Sequence, residues 1–517
     1  MTPQLSDAGR RPETTDLDPD AFRRIGHEAI DAIAEYQEHL DGMRVLPAVT
    51  PPQVAALFQE PLPEQGQSPE ILLADWRQRV TPLLTAVGSP RHFAYVNGSG
   101  ARIGIVADAL AACTNTNAGA WKLGPAAVEI ERQALRWIAQ FIGFPADAGG
   151  ILVSGGTMAN FTSVLTALRH VAPYDSTPDG LQDPARTGRF LLYQSDHEGH
   201  VSVTRVADML NLGRRAVRRV PSRADFTIDV EALDRMLTDD RRRGDLPFCV
   251  IAQLGSVNVG AIDPLERLAA VCGAHGVWLH GDGACGLLAA GWPQARPWFR
   301  GIEQADSVSV DAHKWLGVPY GCGIVFVREA ERLRRAFSIA APYLRSTLSA
   351  DDQGYDYLEY GPEMSRGFRA LKVWMVLRHL GAAGLRTIVA RSIELTRDLH
   401  RLVAGHPDFE VIHEPRLYLY CFRYVPRDRD HPSRGPDGER AIDRLNQAIA
   451  DDIQHSGLAL LMTTRIHDRT ALRMSICSHR TTRADITRTF EAIAEAGRRL
   501  APAFSLTRNP ATEIQSC

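Results

Sequence analysis

What most constrains this chain is a series of short apolar runs, each ending on a polar or glycine-rich turn. Ile151-Leu152-Val153 runs into Ser154-Gly155-Gly156-Thr157, Val277-Trp278-Leu279-His280-Gly281 ends at Asp282, and Ser307-Val308-Ser309-Val310 precedes Asp311-Ala312-His313-Lys314. Val250-Ile251-Ala252-Gln253 and Cys322-Gly323-Ile324-Val325-Phe326-Val327 complete the set. Runs of this length read as buried strands, and the helical stretches between them favour parallel pairing. The expectation is an α/β chain built on a mostly parallel, doubly wound central sheet.

Two polar residues at the ends of these runs stand out. Lys314 follows one strand and Asp282 ends another. A lysine that forms a Schiff base and an acid that pairs with a pyridinium nitrogen are the two attachments pyridoxal phosphate needs most. Upstream, the Ser154–Thr157 turn leads into a helix expected from Met158 to His170. Glycines let the backbone approach a phosphate, and a helix start offers unpaired N–H groups and the positive end of a dipole. Taken singly, each position has an ordinary alternative: a surface lysine, a strand ending in a polar loop, a common Gly-Gly turn. Their order along the chain argues for the cofactor.

In that order the motifs resemble the group II pyridoxal phosphate decarboxylases, the family of aromatic L-amino acid, histidine, tyrosine and glutamate decarboxylases. The resemblance runs from about Phe22 to about residue 495. It is carried also by Ser89-Pro90-Arg91-His92-Phe93-Ala94-Tyr95, Ser195 to Val203, and Phe368-Arg369-Ala370-Leu371-Lys372-Val373-Trp374. It implies the aspartate-aminotransferase-like fold (fold type I) and the conversion of an L-amino acid, aromatic by family default, to its amine and carbon dioxide. It implies that Lys314 holds pyridoxal phosphate, that Asp282 pairs with the ring nitrogen, and that Gly156 and Thr157 hold the phosphate with His313 as an added donor. His200 then lies over the ring and orients the substrate carboxylate, while Tyr95, Val96 and Asn97 stand at the substrate pocket. Arg473 resembles an arginine that meets a substrate carboxylate in some members; an ordinary ion-pair role is the alternative. Tyr357, counted back from Phe368, aligns with the mobile-loop tyrosine that protonates the carbon left after carbon dioxide departs. A two-residue register shift gives that place to Tyr355. Relatives with phenylalanine there release an aldehyde, so oxidative deamination, or another reaction of the cofactor on a non-aromatic amino acid, is the competing activity.

The departures from the family pattern bear on the substrate. Val96-Asn97-Gly98 and Asn117-Ala118-Gly119-Ala120 stand in place of bulkier residues, which implies a wider, more polar pocket and leaves acidic or larger polar amino acids open. Val257 replaces a threonine that contacts the cofactor, and Asp311 stands where many members have asparagine. An acid beside a phosphate is repulsive unless it faces away or pairs with a base such as His313.

Other motifs lead elsewhere. Gly281-Asp282-Gly283-Ala284-Cys285-Gly286 matches the dinucleotide pattern G-x-G-x-x-G, with Glu303 about 20 residues on. Its acid faces the place of a pyrophosphate, and Gly291 and Pro293 interrupt the helix that has to follow. His197 and His200 are three apart with Gly199 between them, unlike the i, i+4 pair of a zinc helix, and there is no Cys-x-x-Cys pair. No metal is expected. The net charge of −3 has no basic excess to attract nucleic acid. The eight cysteines are scattered, several in apolar runs, as thiols are in a reducing compartment. Residues 1 to 20 are polar and acidic, and no apolar stretch is long enough to span a bilayer. A cytoplasmic enzyme without a membrane partner is expected.

A chain of 517 residues, 44% hydrophobic, has length for more than one domain. Residues 1–18, rich in Pro, Thr and Asp, read as a disordered tail, and residues 506–517 as a second one. Residues 19–89 form an N-terminal segment whose first helix, Phe22 to Leu40, carries Ile25, Ala29, Ile33 and Tyr36 on one face. The resemblance implies that this segment packs against the other subunit of a homodimer with its active site at the interface. Residues 90–385 make the large cofactor-binding domain. Residues 386–505 make a small α/β domain with a helix, a strand over Leu417 to Phe422, a helix from Gly438 to Ser456 and a strand around Arg473; Pro426 to Gly438 is a surface loop.

Overall fold

The computed structural model describes residues 16–176, 180–181, 188–339, 355–427 and 436–504. Almost all of both expected tails and most of the loop from Pro426 to Gly438 lie outside these residues. The chain forms two compact units, residues 1–86 and 87–517.

In the first unit, α1 (Pro19–His39) starts where Asp18 accepts from the backbone N–H groups of Asp20 and Ala21, with proline at the first helical position. Its Ile25, Ala29, Ile33 and Tyr36 are half-buried around the buried Ala32, as their spacing predicts. Two short helices follow, α2 (Pro51–Leu57) behind a Thr50/Gln53 capping box and α3 (Pro69–Asp75) capped by Ser68. Phe22, Ile30, Phe58, Leu62, Ile71 and Leu72 remain exposed.

The second unit is organised by a seven-stranded sheet of β1 (Gly149–Val153), β2 (Phe190–Ser195), β3 (Val217–Val220), β4 (Leu246–Gln253), β5 (Trp278–Asp282), β6 (Ser307–Asp311) and β7 (Gly323–Val327). Their order is β1-β7-β6-β5-β4-β2-β3. Only β7 runs against its neighbours; the other pairs are parallel. Strands β1, β2 and β5 to β7 are buried along their whole length, which is why they read as mainly apolar runs, with the polar residues of β2, β5 and β6 buried beside them. The helices α4 (Arg102–Thr114), α5 (Pro125–Ile142), α6 (Gly156–Val171), α7 (Val201–Met209), α8 (Val230–Arg242), α9 (Leu265–His275) and α10 (Ala330–Phe337) accompany this sheet. Six strands pointing one way place their carboxyl ends on one edge, where Ser154, Gln253, Asp282 and Asp311 emerge together. That edge is where open α/β sheets bind ligands.

Helix α11 (Ala370–Gly405) runs through the boundary expected at residue 386 and changes direction at Gly381, whose φ of 61° suits glycine. Beyond it lies a second sheet of β8 (Phe409–Val411), β9 (Leu419–Tyr424), β10 (Met462–Ile466) and β11 (Arg469–Ser475), antiparallel in the order β10-β11-β9-β8. His467 and Asp468, both at positive φ, make the two-residue turn between β10 and β11. Helices α12 (Pro436–Ser456) and α13 (Arg483–Phe504) bury Leu445, Ile449, Ile486, Phe490 and Ile493 with Tyr420, Phe422, Leu472 and Met474.

One buried ion pair ties several of these parts together. Arg366 donates to Glu131 Oε1 at 2.6 Å, to the Leu152 carbonyl at 2.9 Å and to the Ala118 carbonyl at 3.2 Å. Glu131 Oε1 also accepts from the Leu152 N–H at 2.9 Å, so α5, β1 and the 118 loop share one anchor. Removing one member strands the other's charge in the core. Glu131→Ala is expected to destabilise the protein by about 3–5 kcal/mol, read as a lowered midpoint of urea unfolding.

Candidate active site

The carboxyl edge of the large sheet opens into a cavity of about 420 Å³. The Ser154–Thr157 turn reaches it from β1, Gln253 from β4, Asp282 from β5, Asp311 from the end of β6, and His313 and Lys314 from the turn after it. His200 enters from the loop between β2 and α7. Sequence reading singled out Gly156, Thr157, His200, Asp282, His313 and Lys314, and all six line this one cavity.

Gly156 opens α6, and a Cβ there would stand 2.9 Å from Asp311 Oδ2; one on Gly155 would stand 3.4 Å from His313 Cε1. The two glycines keep open a hollow against a helix start, where backbone N–H groups point outward. Asp282 is almost wholly buried and accepts from Asn160 Nδ2 at 2.9 Å, the Ala284 N–H at 3.2 Å and Ser309 Oγ at 3.3 Å. Burial alone raises its pKa, but the Asn160 hydrogen bond and the positive charge of Lys314, among the groups around it, outweigh burial, and the net shift is downward. The group is a carboxylate.

Lys314 Nζ lies 3.0 Å from Asp311 Oδ2 and 3.5 Å from Cys285 Sγ. Burial pulls its pKa down, but Cys285, Asp311 and Asp282 push it up by more, so the side chain is an ammonium that must shed a proton before acting as a nucleophile. Asp311 thus takes Lys314 as its nearer partner, and His313 Nε2, a base of the kind expected to pair with it, stands 3.8 Å away. Asp311 Oδ1 and Gln253 Nε2 are buried without hydrogen-bond partners, both in groups that line the cavity. His200 caps α7, with Nδ1 2.7 Å from Ser202 Oγ, and burial lowers its pKa.

The other expected residues lie elsewhere. Tyr95, with φ 54°, is mostly exposed, and Val96 is buried in the core. Neither lines the cavity, nor does Asn97, which accepts from the hydroxyl of the cavity residue Tyr320. The segment still abuts the site, since a Cβ on Gly98 would lie 1.8 Å from the Lys314 carbonyl oxygen. Arg473 is buried and donates to the Val257 carbonyl from Nε at 2.9 Å and to the Tyr95 carbonyl from Nη1 at 3.1 Å. It braces the cavity wall at Val257 rather than lining the cavity. Tyr357 is fully buried under Arg366, with Arg366 Cζ 4.6 Å from its ring centre, beside Gly149 and Gly150 at the opposite end of β1. Within one chain it is not next to Lys314. Asn117 and Gly119 also join the Arg366 region, Asn117 Oδ1 accepting from the N–H groups of Gly119 and Arg366. After Gly286 comes a 3-10 turn, Leu287–Gly291, not the long helix of a dinucleotide fold. His197 and His200 both precede α7 and share no helical face.

Asn160, Ser202, Gln253, Cys285 and Tyr320 went unremarked as site residues. Asn160 sits four residues after Gly156 on the same helical face, and Gln253 ends a parallel strand; both signals were available.

The chain matches the family model "Pyridoxal-dependent decarboxylase conserved domain" over residues 51–425. It is 32% identical to an aromatic-L-amino-acid decarboxylase of Bacillus atrophaeus over 470 residues, 91% of this chain and 94% of the relative. It is 33% identical to a tyrosine decarboxylase of Oryza sativa subsp. japonica over 453 residues, 84% and 83% of the two chains. A crystal structure of Oryza sativa TDC with PLP and tryptamine superposes with a TM-score of 0.88 at 26% identity, over 94% of this chain and all of that one.

A methyl group at position 156 fills the hollow at the start of α6. Gly156→Ala is expected to weaken the binding of pyridoxal phosphate at least tenfold, measured by fluorescence titration of the apoprotein, while a pyridoxal lacking the phosphate loses much less.

Proposed function

Since the chain belongs to the pyridoxal-dependent decarboxylase family, we propose that it removes the α-carboxylate of an aromatic L-amino acid and releases the amine. The observation that carries this reading is the single cavity in which Lys314, Asp282, His200 and the Ser154–Thr157 turn meet. The aromatic substrate is supported by the names of its relatives, an aromatic-L-amino-acid and a tyrosine decarboxylase.

The residues fit pyridoxal phosphate. The hollow beside Gly155 and Gly156 suits a phosphate, the ionised Asp282 suits a protonated ring nitrogen, and the unpartnered Gln253 Nε2 is a donor in want of an acceptor. When bound, the cofactor supplies an electron-accepting ring that takes the bonding electrons as carbon dioxide leaves. Lys314 holds it through Nζ, and Asp282 keeps the ring nitrogen charged. Gly156 and Thr157 hold the phosphate at the start of α6, and His313 adds a donor. His200, half-buried and neutral, would orient the substrate carboxylate, and that orientation selects which bond breaks. Tyr95, Val96 and Asn97 shape the approach beside Lys314, and Arg473 supports them from behind.

Tyr357 is the proposed donor that returns a proton to Cα. Because Tyr357 does not line the cavity that Lys314 lines, the role calls for a rearrangement of its loop or for a homodimer whose active site lies at the subunit interface. The apolar residues left exposed on the N-terminal unit, Phe22, Ile30, Leu62 and Leu72 among them, support association. A cytoplasmic location is supported by the free thiols of every described cysteine; among the described residues, no helix is long and apolar enough to cross a membrane.

Lys314→Ala is expected to lose all turnover and the absorbance of covalently held cofactor. With wild type, carbon dioxide, amine and hydrogen peroxide followed together over a panel of amino acids should show equal carbon dioxide and amine from an aromatic substrate and no peroxide. Turnover only of acidic amino acids would overturn the substrate assignment. Tyr357→Phe should shift product from amine toward aldehyde; an unchanged product ratio removes Tyr357 from protonation.

A further inference from the structure

Behind Asp282 the buried polar groups form one directed chain of hydrogen bonds, and the groups at its fixed points determine every proton in it. Trp278 Nε1 only donates, and does so to Ser307 Oγ at 2.8 Å. Ser307 therefore turns its own proton toward His280 Nδ1, 2.8 Å away. His280, whose pKa burial lowers to about 4, is neutral and carries its proton on Nε2, which donates to Asn160 Oδ1 at 3.1 Å. Asp282 independently requires that orientation of the Asn160 amide, because an ionised carboxylate only accepts and lies 2.9 Å from Nδ2.

The second Nδ2 proton of Asn160 goes to Ser202 Oγ at 2.9 Å. Ser202 then has one hydroxyl proton and an acceptor for it in His200 Nδ1, 2.7 Å away. The same ring nitrogen faces the Ser202 backbone N–H at 3.3 Å, the bond that caps α7. A proton on Nδ1 would oppose that N–H and leave the Ser202 hydroxyl proton without a partner in this network.

We propose that Asn160 is a positioning residue which, through Ser202, locks His200 in the tautomer whose Nδ1 accepts and whose Nε2–H is left for the cavity. One carboxamide thereby serves both faces of the site: it holds Asp282 with one proton and sets the His200 ring with the other. His200 then offers an uncharged donor, which suits a carboxylate oxygen without a full ion pair that would hold the carboxylate in place. This last consequence rests on the decarboxylase reading; the tautomer does not.

The test is spectroscopic. In cofactor-loaded protein labelled with nitrogen-15 histidine, two-bond proton–nitrogen correlations report the tautomer of each ring, and the His200→Gln spectrum identifies the His200 signals. The wild type is expected to show His200 Nδ1 as a bare nitrogen and Nε2 as an N–H. Ser202→Ala leaves the Asn160–Asp282 bond in place and should release the ring into a mixture of tautomers, whereas Ser202→Thr keeps the hydroxyl and should preserve the lock. Asn160→Ala should release the ring as Ser202→Ala does. An Nδ1–H tautomer in the wild type, or an unchanged pattern in Ser202→Ala, overturns the lock; an unchanged pattern in Asn160→Ala alone overturns the part given to Asn160. The readout needs no turnover, so a protein silent on every aromatic amino acid still decides it.

Discussion

The site depends on keeping one carboxylate charged in a place where burial opposes charge. Asp282 ends β5 inside the sheet, and in low dielectric an isolated carboxylate takes up a proton. The Asn160 hydrogen bond and the nearby Lys314 charge help keep it ionised, and donors converge on it from three elements: Asn160 from α6, the Ala284 N–H from the turn beyond β5, and Ser309 from β6. The parallel register supplies part of this, since β5 pairs Asp282 with Ser309 on one side and with Gln253 on the other. A shift of one residue in either strand reverses which face those side chains occupy and dissolves the arrangement.

The second sheet takes part in the same construction from a distance. Arg473 on β11 holds the carbonyls of Val257 and Tyr95, and the Tyr418 hydroxyl donates to the Cys285 carbonyl at 2.5 Å. Val257 and Cys285 both line the cavity. The C-terminal part of the chain therefore acts on the wall of the pocket through backbone carbonyls, a form of support that changes a pocket's shape without placing a side chain in it.

What was legible in the sequence lies where chain order and spatial order coincide. Lys314, Asp282 and the Gly155-Gly156 turn each follow an apolar run, so a parallel sheet brings them to one edge without further information. Helix α6 was expected from Met158 and begins two residues earlier, because Gly156 itself makes the first turn. Asp311, an acid that calls for a basic partner, finds two within the turn that follows β6: Lys314 comes closer to it than His313 does. Tyr357, Arg473 and Asn97 were assigned to the pocket by analogy. Arg473 and Asn97 meet partners from far along the chain, Val257 and Tyr320, and although Arg366 is close to Tyr357 in sequence, no local pattern announces that its guanidinium covers that ring.

The place of β1 in the sheet sets an order of events for the chain as it is made. β1 pairs with β7, whose residues follow it by roughly 170 positions, so the partner emerges from the ribosome well after it. During that interval a wholly apolar strand with the Ser154–Thr157 turn at its end has no ladder to join. Loop-closure entropy delays pairing over such a separation, and the exposed edge invites other chains. The Ser154–Thr157 turn is thus among the first parts of the cavity wall to be synthesised and among the last to acquire its structure, and the unpaired edge of β1 invites aggregation until β7 arrives.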